Sequence, residues 1–368
     1  MSSGAILFAG DVALKTSPVL SQRLQELIRQ CDIASCNFEA PIEGIGKPVT
    51  KSGPHVSQIA AAPQIVEQLG FNVISLANNH VHDYGDDALD ATIDTFKSSH
   101  TVGAGSMDEA YALKKINVSD TVVGFLSFGE AGFGALTGSQ RHSKGYAWIN
   151  HRCVNELIGS AKKEVDILIV QAHAGVEQID LPLPEWRSRY KELIGCGADA
   201  VVAHHPHVPQ GWESYDGRPV FYSLGNFYFD LYSRHPLWNT GLLAVIRFAN
   251  KKITGWHTYI TKRTGCEVDV VENEEMSAYL IYLNHILEAP QYMEQMNLQI
   301  LQLWNKIYKH HYNNVFNGIN TYTPYRFLKH LKRMASFKGI NYTLLWHNLF
   351  IESNKWAVER AISLKNKL

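Results

Sequence analysis

Cysteine is scarce in this chain of 368 residues. Only Cys31, Cys36, Cys153, Cys196 and Cys266 occur, an odd number, scattered and without a C-x-x-C pair. That excludes a disulfide framework and predicts reduced thiols in a cytoplasmic protein. Long apolar runs are absent too: nothing reaches about 18 residues, so no spanning helix is expected. The opening MSSGAILFAGD has no basic stretch ahead of an apolar core and reads as a first strand, not a secretory leader. Internal repeats and low-complexity segments are missing. Net charge nearly vanishes, at −1, with 45% apolar and 19% charged residues, as in ordinary globular proteins.

The small net charge hides an uneven distribution. From Thr323 onward 9 Lys/Arg face 2 Asp/Glu, net +7, so the remainder is net −8. A basic tail on an acidic body suggests a separate surface role, such as docking on an anionic membrane, polymer or protein partner. A helical add-on with a solvated basic face explains it equally. No nucleic-acid motif accompanies the basic patch, so nucleic acid is not an expected partner.

Along the chain, apolar strands alternate with helical spacing. Ala5–Ala9 stops at Gly10-Asp11, and Asp32–Cys36 at Asn37-Phe38-Glu39. Asn72–Leu76 stops at Asn78-Asn79-His80. Helices are predicted over Pro18–Gln30, Pro63–Leu69 and Asp87–Ser98. The alternation predicts a layered α/β fold of largely parallel order. A glycine-rich stretch, Glu130–Asn150, reads as a long structureless loop over a site. Helix 151–163, strand Asp166–Gln171 and helix 184–195 follow, and strands Leu242–Phe248 and Ile253–Tyr259 close the unit. Beyond Asn273 the texture becomes helical, over Met276–Tyr312, Pro324–Ser336 and Ile340–Leu368. The expected domains are 1–265 and a helical extension over 274–368.

The stretch GADAVVAHHPHVPQGWESYDGRPVFYSLGNFYFD, residues 197–230, organises the rest. Its apolar run ends on His204, His205, Pro206 and His207. In an extended segment residues two apart share a face, which would aim His205 and His207 at one spot. Other strand ends finish on Asp11, Glu39, Asn79 and His173. Carboxylate, amide oxygen and imidazole together can hold divalent cations, and two such ions would clamp a phosphoryl group and acidify a bound water. His80 suits a proton-donor role, with Asp83 to orient it. Each residue has a plainer explanation on its own: an N-cap for Asp11, a turn for Asn78-Asn79-His80, a loop carboxylate for Glu39, a hydrogen-bonded core imidazole for His173. All of them falling at the carboxyl ends of strands favours the metal site.

The blocks GD (10–11), NFE (37–39), SLANNHVHDYG (75–85), HAGVE (173–177) and HHPHVPQGWESYDGRPVFYSLGNFYFD (204–230) resemble the bacterial capsule-synthesis family named for poly-γ-glutamate capsules (CapA-like). That family lies within the calcineurin-like metallophosphatase superfamily, and the resemblance covers about residues 5–262. It implies a four-layer α/β/β/α sandwich and metal-ligand roles for Asp11, Glu39, Asn79, His173, His205 and His207, with His80 as the acid. It further implies one or two divalent ions (Mn, Zn or Fe) and hydrolysis of a phosphorylated or anionic polymer substrate. A non-catalytic accessory role in polymer synthesis is the alternative. Two departures from the superfamily stand out: Ala13 replaces a usual histidine, and the bridging carboxylate would be Glu39 instead of an aspartate. His204 could substitute for the lost imidazole or stand behind the ligands. Lys51 and Arg187 are possible anion contacts or plain surface charges. Tyr228, Phe229 and Trp238 could pack the rim or the core.

Overall fold

In the computed structural model, the described residues are 3–138, 143–315, 324–325, 328, 331–332 and 341–366. They divide into two compact units. The first comprises Met1–Val49 with His55–Ala289, the second Thr50–Pro54 with Pro290–Leu368.

Two sheets form the centre of the first unit. The larger has nine strands and is mixed. Strand Ser3–Ala13 runs parallel to Ile33–Phe38 on one side and antiparallel to Thr240–Ala249 on the other. Val73–Ser75 and His100–Val102 continue the parallel part. Lys252–Thr264 and Glu267–Val271 extend the antiparallel part beyond the predicted strands. The smaller sheet has six strands. Its parallel centre is Thr121–Gly129, Ile167–His173 and Ala200–His204, with Arg218–Phe221 beside the last.

Strand alternation explains the layering. In Ser3–Ala13, Ala5, Leu7 and Ala9 share a cluster with Leu24 and Ile28 of helix Gln22–Arg29 and Val66 of helix Ala62–Gln68. Phe8 turns the other way, toward Phe125 of the second sheet, with ring centroids 6.5 Å apart. Ser35 Oγ donates to Gln171 Oε1 at 3.0 Å, and Ser75 and Ser127 hydroxyls meet at 2.7 Å, so the sheets also touch through satisfied polar pairs. Helices Val154–Lys162 and Pro184–Cys196 cover the second sheet, burying Ile158, Trp186, Tyr190 and Leu193. The result is the α/β/β/α sandwich.

Three features differ from the sequence expectation. Glu130–Asn150 is not structureless: Ala135–Leu136 and Lys144–Ala147 pair with each other, and the latter pairs with Ala104–Ser106 in a small third sheet. Strands this short carry no alternation long enough to detect. Second, the first unit runs past the composition change at 265–275. Helix Glu274–Glu288 sends Asn284 Oδ1 to accept the Trp212 N–H at 2.7 Å, and the Tyr279 hydroxyl donates to Asp180. Third, the helical stretches are divided. Glu274–Glu288 is followed by Tyr292–Leu303, a π turn at Trp304–Tyr308 and Lys309–Val315, and the last stretch by Tyr342–Phe350 and Glu352–Asn366. The predicted helix Pro324–Ser336 lies mostly outside the described residues. Within the second unit Met296, Ile300, Ala357 and Ala361 are buried, and the Tyr308 hydroxyl meets Asn354 Oδ1 at 2.6 Å. No helix among the described residues is long and apolar enough to cross a membrane.

Candidate metal centre

Parallel strands of both sheets end at one edge, and register sets which residues meet there. Asp11 lies level with Asn37 on one side and Asn226 on the other, while His173 lies level with His204. The strand bulges around Asp11, where register shifts on both sides. Close approach requires glycine at this point: a Cβ on Gly10 would stand 1.9 Å from the Gly225 carbonyl oxygen. The Asp11 N–H donates to that same oxygen at 2.9 Å.

Strand Ala200–His204 stops before the two downstream imidazoles. His205 (φ 98°) and His207 (φ 59°) adopt left-handed backbone conformations, so a turn, not the strand pleat, brings their rings to 5.8 Å. Such backbone costs roughly 1–3 kcal/mol per residue and persists where surroundings over-determine it.

The six expected donors converge. Around His173 Nε2 stand Asn79 Oδ1 at 3.0 Å, His205 Nδ1 at 3.0 Å and Glu39 Oε1 at 3.7 Å. Glu39 Oε1 is also 3.5 Å from His207 Nε2, and His207 Nδ1 is 3.2 Å from Asp11 Oδ2. Donor atoms of Glu39, His205 and His207 lie within 4.8 Å of one another, as do those of Asp11, Glu39 and His173. Glu39 belongs to both groups, the position of a bridging carboxylate.

These residues fit a divalent cation. Glu39 Oε1 is fully buried and has no hydrogen-bond partner, a costly state that a cation would relieve. Burial pushes the Glu39 carboxyl well above its usual range, with His207 pulling the other way and Asp11 adding to the rise. Burial also opposes ionisation of Asp11, but the hydrogen bond and charge of His207 outweigh it and hold that carboxyl low. Burial disfavours a charged His207, yet Glu39 and Asp11 raise it to about 10. His205 is lowered to about 4, chiefly by burial, and His173 falls well below the usual range through burial and the neighbouring imidazoles. His173 and His205 are therefore neutral, as metal ligands must be. Nitrogen and oxygen donors of this mixture suit Zn, Mn or Fe.

His80 and Asp83 form a pair beside this cluster. His80 Nδ1 is 2.7 Å from Asp83 Oδ2, which also accepts the Val56 N–H at 2.7 Å. His80 lies close enough that a proton on it would disfavour charge on both His173 and His205.

Sequence reading passed over several residues that organise the site. Asn37 Nδ2 donates to Asp11 Oδ1 at 2.8 Å and lies 3.3 Å from Glu39 Oε2 and 3.1 Å from His173 Nδ1. Asn78 Nδ2 donates to Asn37 Oδ1 and Phe38 O, while Asn78 Oδ1 accepts the His80 N–H, tying the pair to the donors. Asn226 Oδ1 meets His207 Nδ1 at 3.0 Å, and Glu130 Oε1 lies 3.5 Å from His205 Nε2. The available clue was polar residues at the ends of apolar, buried strands. His204 is fully buried, 3.7 Å from Asp11 Oδ1, and belongs to neither donor group. Ala13, Phe229 and Trp238 form an apolar cluster, and the two aromatic rings pack on His207 at 4.6 and 5.2 Å. Arg187 is spent on an internal bidentate pair with Glu213 (3.0 and 2.9 Å). Tyr228 is buried, with its hydroxyl 2.6 Å from Thr16 Oγ1. Lys51 groups with the second unit.

Fold and donors together define the class: a two-sheet α/β protein with a buried carboxylate–imidazole centre suited to divalent cations. Residues 5–231 match the family model described as "Bacterial capsule synthesis protein PGA_cap", and the chain belongs to that family. It is 31% identical over 242 residues to the PGA biosynthesis protein CapA of Bacillus subtilis (strain 168), covering 61% of this chain and 62% of that protein. It is 32% identical over 213 residues to the capsule biosynthesis protein CapA of Bacillus anthracis, covering 55% and 52%. The alignments thus span between half and two thirds of those relatives' lengths. Among solved structures, a novel phosphatase of Mycoplasma pneumoniae overlays with a TM-score of 0.44 and 15% identity, covering 71% of this chain and 94% of that one. The family assignment rests on the sequence match.

Proposed function

We propose that the chain is a metal-dependent phosphoester hydrolase acting on a phosphorylated or anionic intermediate of capsule or exopolymer synthesis. One observation carries the reading: the His80–Asp83 pair is hydrogen-bonded through Asn78 and Asn37 to the donors clustered on Glu39. Asp11, Glu39, Asn79, His173, His205 and His207 would hold a divalent cation, which would supply charge neutralisation at phosphorus and lower the pKa of water there. The chain's own residues do the remaining work. Asp83 orients the His80 ring by Nδ1, and His80 delivers a proton to the departing oxygen. Asn37 fixes the Asp11 carboxylate, and Asn226 with the Phe229 and Trp238 rings fixes His207. The test is hydrolysis of an aryl phosphate mono- or diester by the full chain with Mn²⁺ or Zn²⁺. Activity should be lost in His80→Ala while metal content is retained. A metal-replete protein inactive on a broad phosphoester panel would refute the assignment.

A second reading, an accessory protein whose metal centre is structural, is favoured by Ala13. It lies in the apolar Phe229–Trp238 cluster and offers no donor to the Asp11 side. On that reading chelation lowers thermal stability while partner binding survives. Polymer synthesis would then be unchanged when His80 alone is replaced.

A further inference from the structure

Glu130 follows the strand Thr121–Gly129, whose last residue pairs with His173. Its backbone is tied into the site: the Glu130 N–H donates to the His173 carbonyl at 3.0 Å, and its own carbonyl accepts the Tyr146 hydroxyl at 3.0 Å. The side chain is buried, takes the Gly175 N–H on Oε1 at 3.4 Å, and presents that oxygen 3.5 Å from His205 Nε2. The opposite nitrogen of the same ring, Nδ1, faces His173 Nε2 at 3.0 Å, and His205 is a member of one donor group.

A neutral imidazole carries one N–H, and the hydrogen bond made by one nitrogen decides which tautomer is present. An acceptor at Nε2 draws the proton there and leaves the Nδ1 lone pair directed into the cluster. Without it, the tautomer with Nδ1–H becomes accessible and points a proton where a cation must bind. We propose that Glu130 is a positioning residue that selects the Nε2–H tautomer of His205 and so makes Nδ1 a metal donor. The proposal rests on the reading of this cluster as a cation site. It assigns a role to a residue outside the donor set, contributed by the glycine-rich stretch of the small third sheet.

The test uses the full chain and Zn²⁺ titrated against a competing chelator, for wild type, Glu130→Ala and Glu130→Gln. Removing such a carboxylate behind a ligating imidazole costs typically 10–100-fold in metal affinity. Glu130→Ala should lose about that much. Glu130→Gln, which keeps an acceptor oxygen in nearly the same shape, should recover most of it. Ring-¹⁵N spectra, with the His205 signals assigned through His205→Gln, should show Nε2–H in wild type and in Glu130→Gln. Circular dichroism checks folding, and the near-isosteric Gln variant keeps the test alive if the Ala variant misfolds. Equal Zn²⁺ affinity in all three proteins overturns the proposal. So does equal weakening of both variants with an unchanged ring spectrum, since shape or charge would then be responsible. Wild type that binds no Zn²⁺ overturns the cation reading itself and the proposal with it. That outcome is distinguishable because the wild type fails too.

Discussion

Loading the centre with a cation should expel a proton, and the number can be worked out. In the metal-free chain, Glu39 and Asp11 raise His207 to about 10 against burial, and burial pushes the Glu39 carboxyl well above its usual range, so the His207–Glu39 pair holds at least one proton at neutral pH. His173 and His205 are already neutral there and have no proton to lose. A cation held by both residues must displace what the pair carries, so binding releases at least about one proton per ion. Apparent affinity should then rise at least about tenfold per pH unit between about pH 6 and pH 9, or about 1.4 kcal/mol or more per unit. Calorimetric titration of Zn²⁺ in buffers of different ionisation enthalpy counts the protons directly. His207→Gln should lower the affinity and flatten its pH slope. Zero proton release with affinity flat across this range would refute the electrostatic account. The sign for stability follows the same linkage. A folded pKa of about 10, above the unfolded value of 6.5, stabilises the metal-free fold fully below about pH 6.5. That contribution fades as pH rises through about 10, so chelated protein should lose stability in alkali faster than loaded protein.

Other outcomes follow from the same geometry. Gly10→Ala would push a Cβ to within 1.9 Å of the Gly225 carbonyl, a backbone atom that cannot swing away. It should cost about 1–3 kcal/mol or more in denaturant melts and weaken metal binding by displacing Asp11. Asp83→Ala should lower kcat by about 10²-fold or more in the phosphoester assay while leaving bound metal per chain unchanged. Free Zn²⁺ at about 100 times its Kd should stabilise the folded chain by about 2.7 kcal/mol, read as a rise in melting temperature that a chelator reverses.

Much of the layout was legible because each parallel strand is an apolar run that stops on a polar residue. Asp11, Glu39, Asn79 and His173 stand out for that reason. What the linear pattern hides is turn geometry. His205 and His207 look like neighbours on one pleated face, yet they converge through left-handed backbone beyond the strand's end. Asn37 and Asn226 receive no role from the sequence because asparagine at a strand end is ordinary there. Their importance comes from register, which sets both level with Asp11. Glu130 was read as the start of a loop, and only its pairing next to His173 shows which way the carboxylate faces. The change in texture near 265–275 marks where helices begin, but Asn284 still satisfies the Trp212 amide inside the first unit. Composition records the kind of element, and packing decides which unit owns it.

The most direct measurement is elemental analysis of this chain after equilibration with micromolar Zn²⁺ or Mn²⁺ and gel filtration, alongside Glu39→Ala. Because Glu39 is common to both donor groups, the wild type should retain at least about one ion per chain and the variant should lose nearly all of it. A wild type that retains no metal, or a variant that holds as much, would contradict the centre described above.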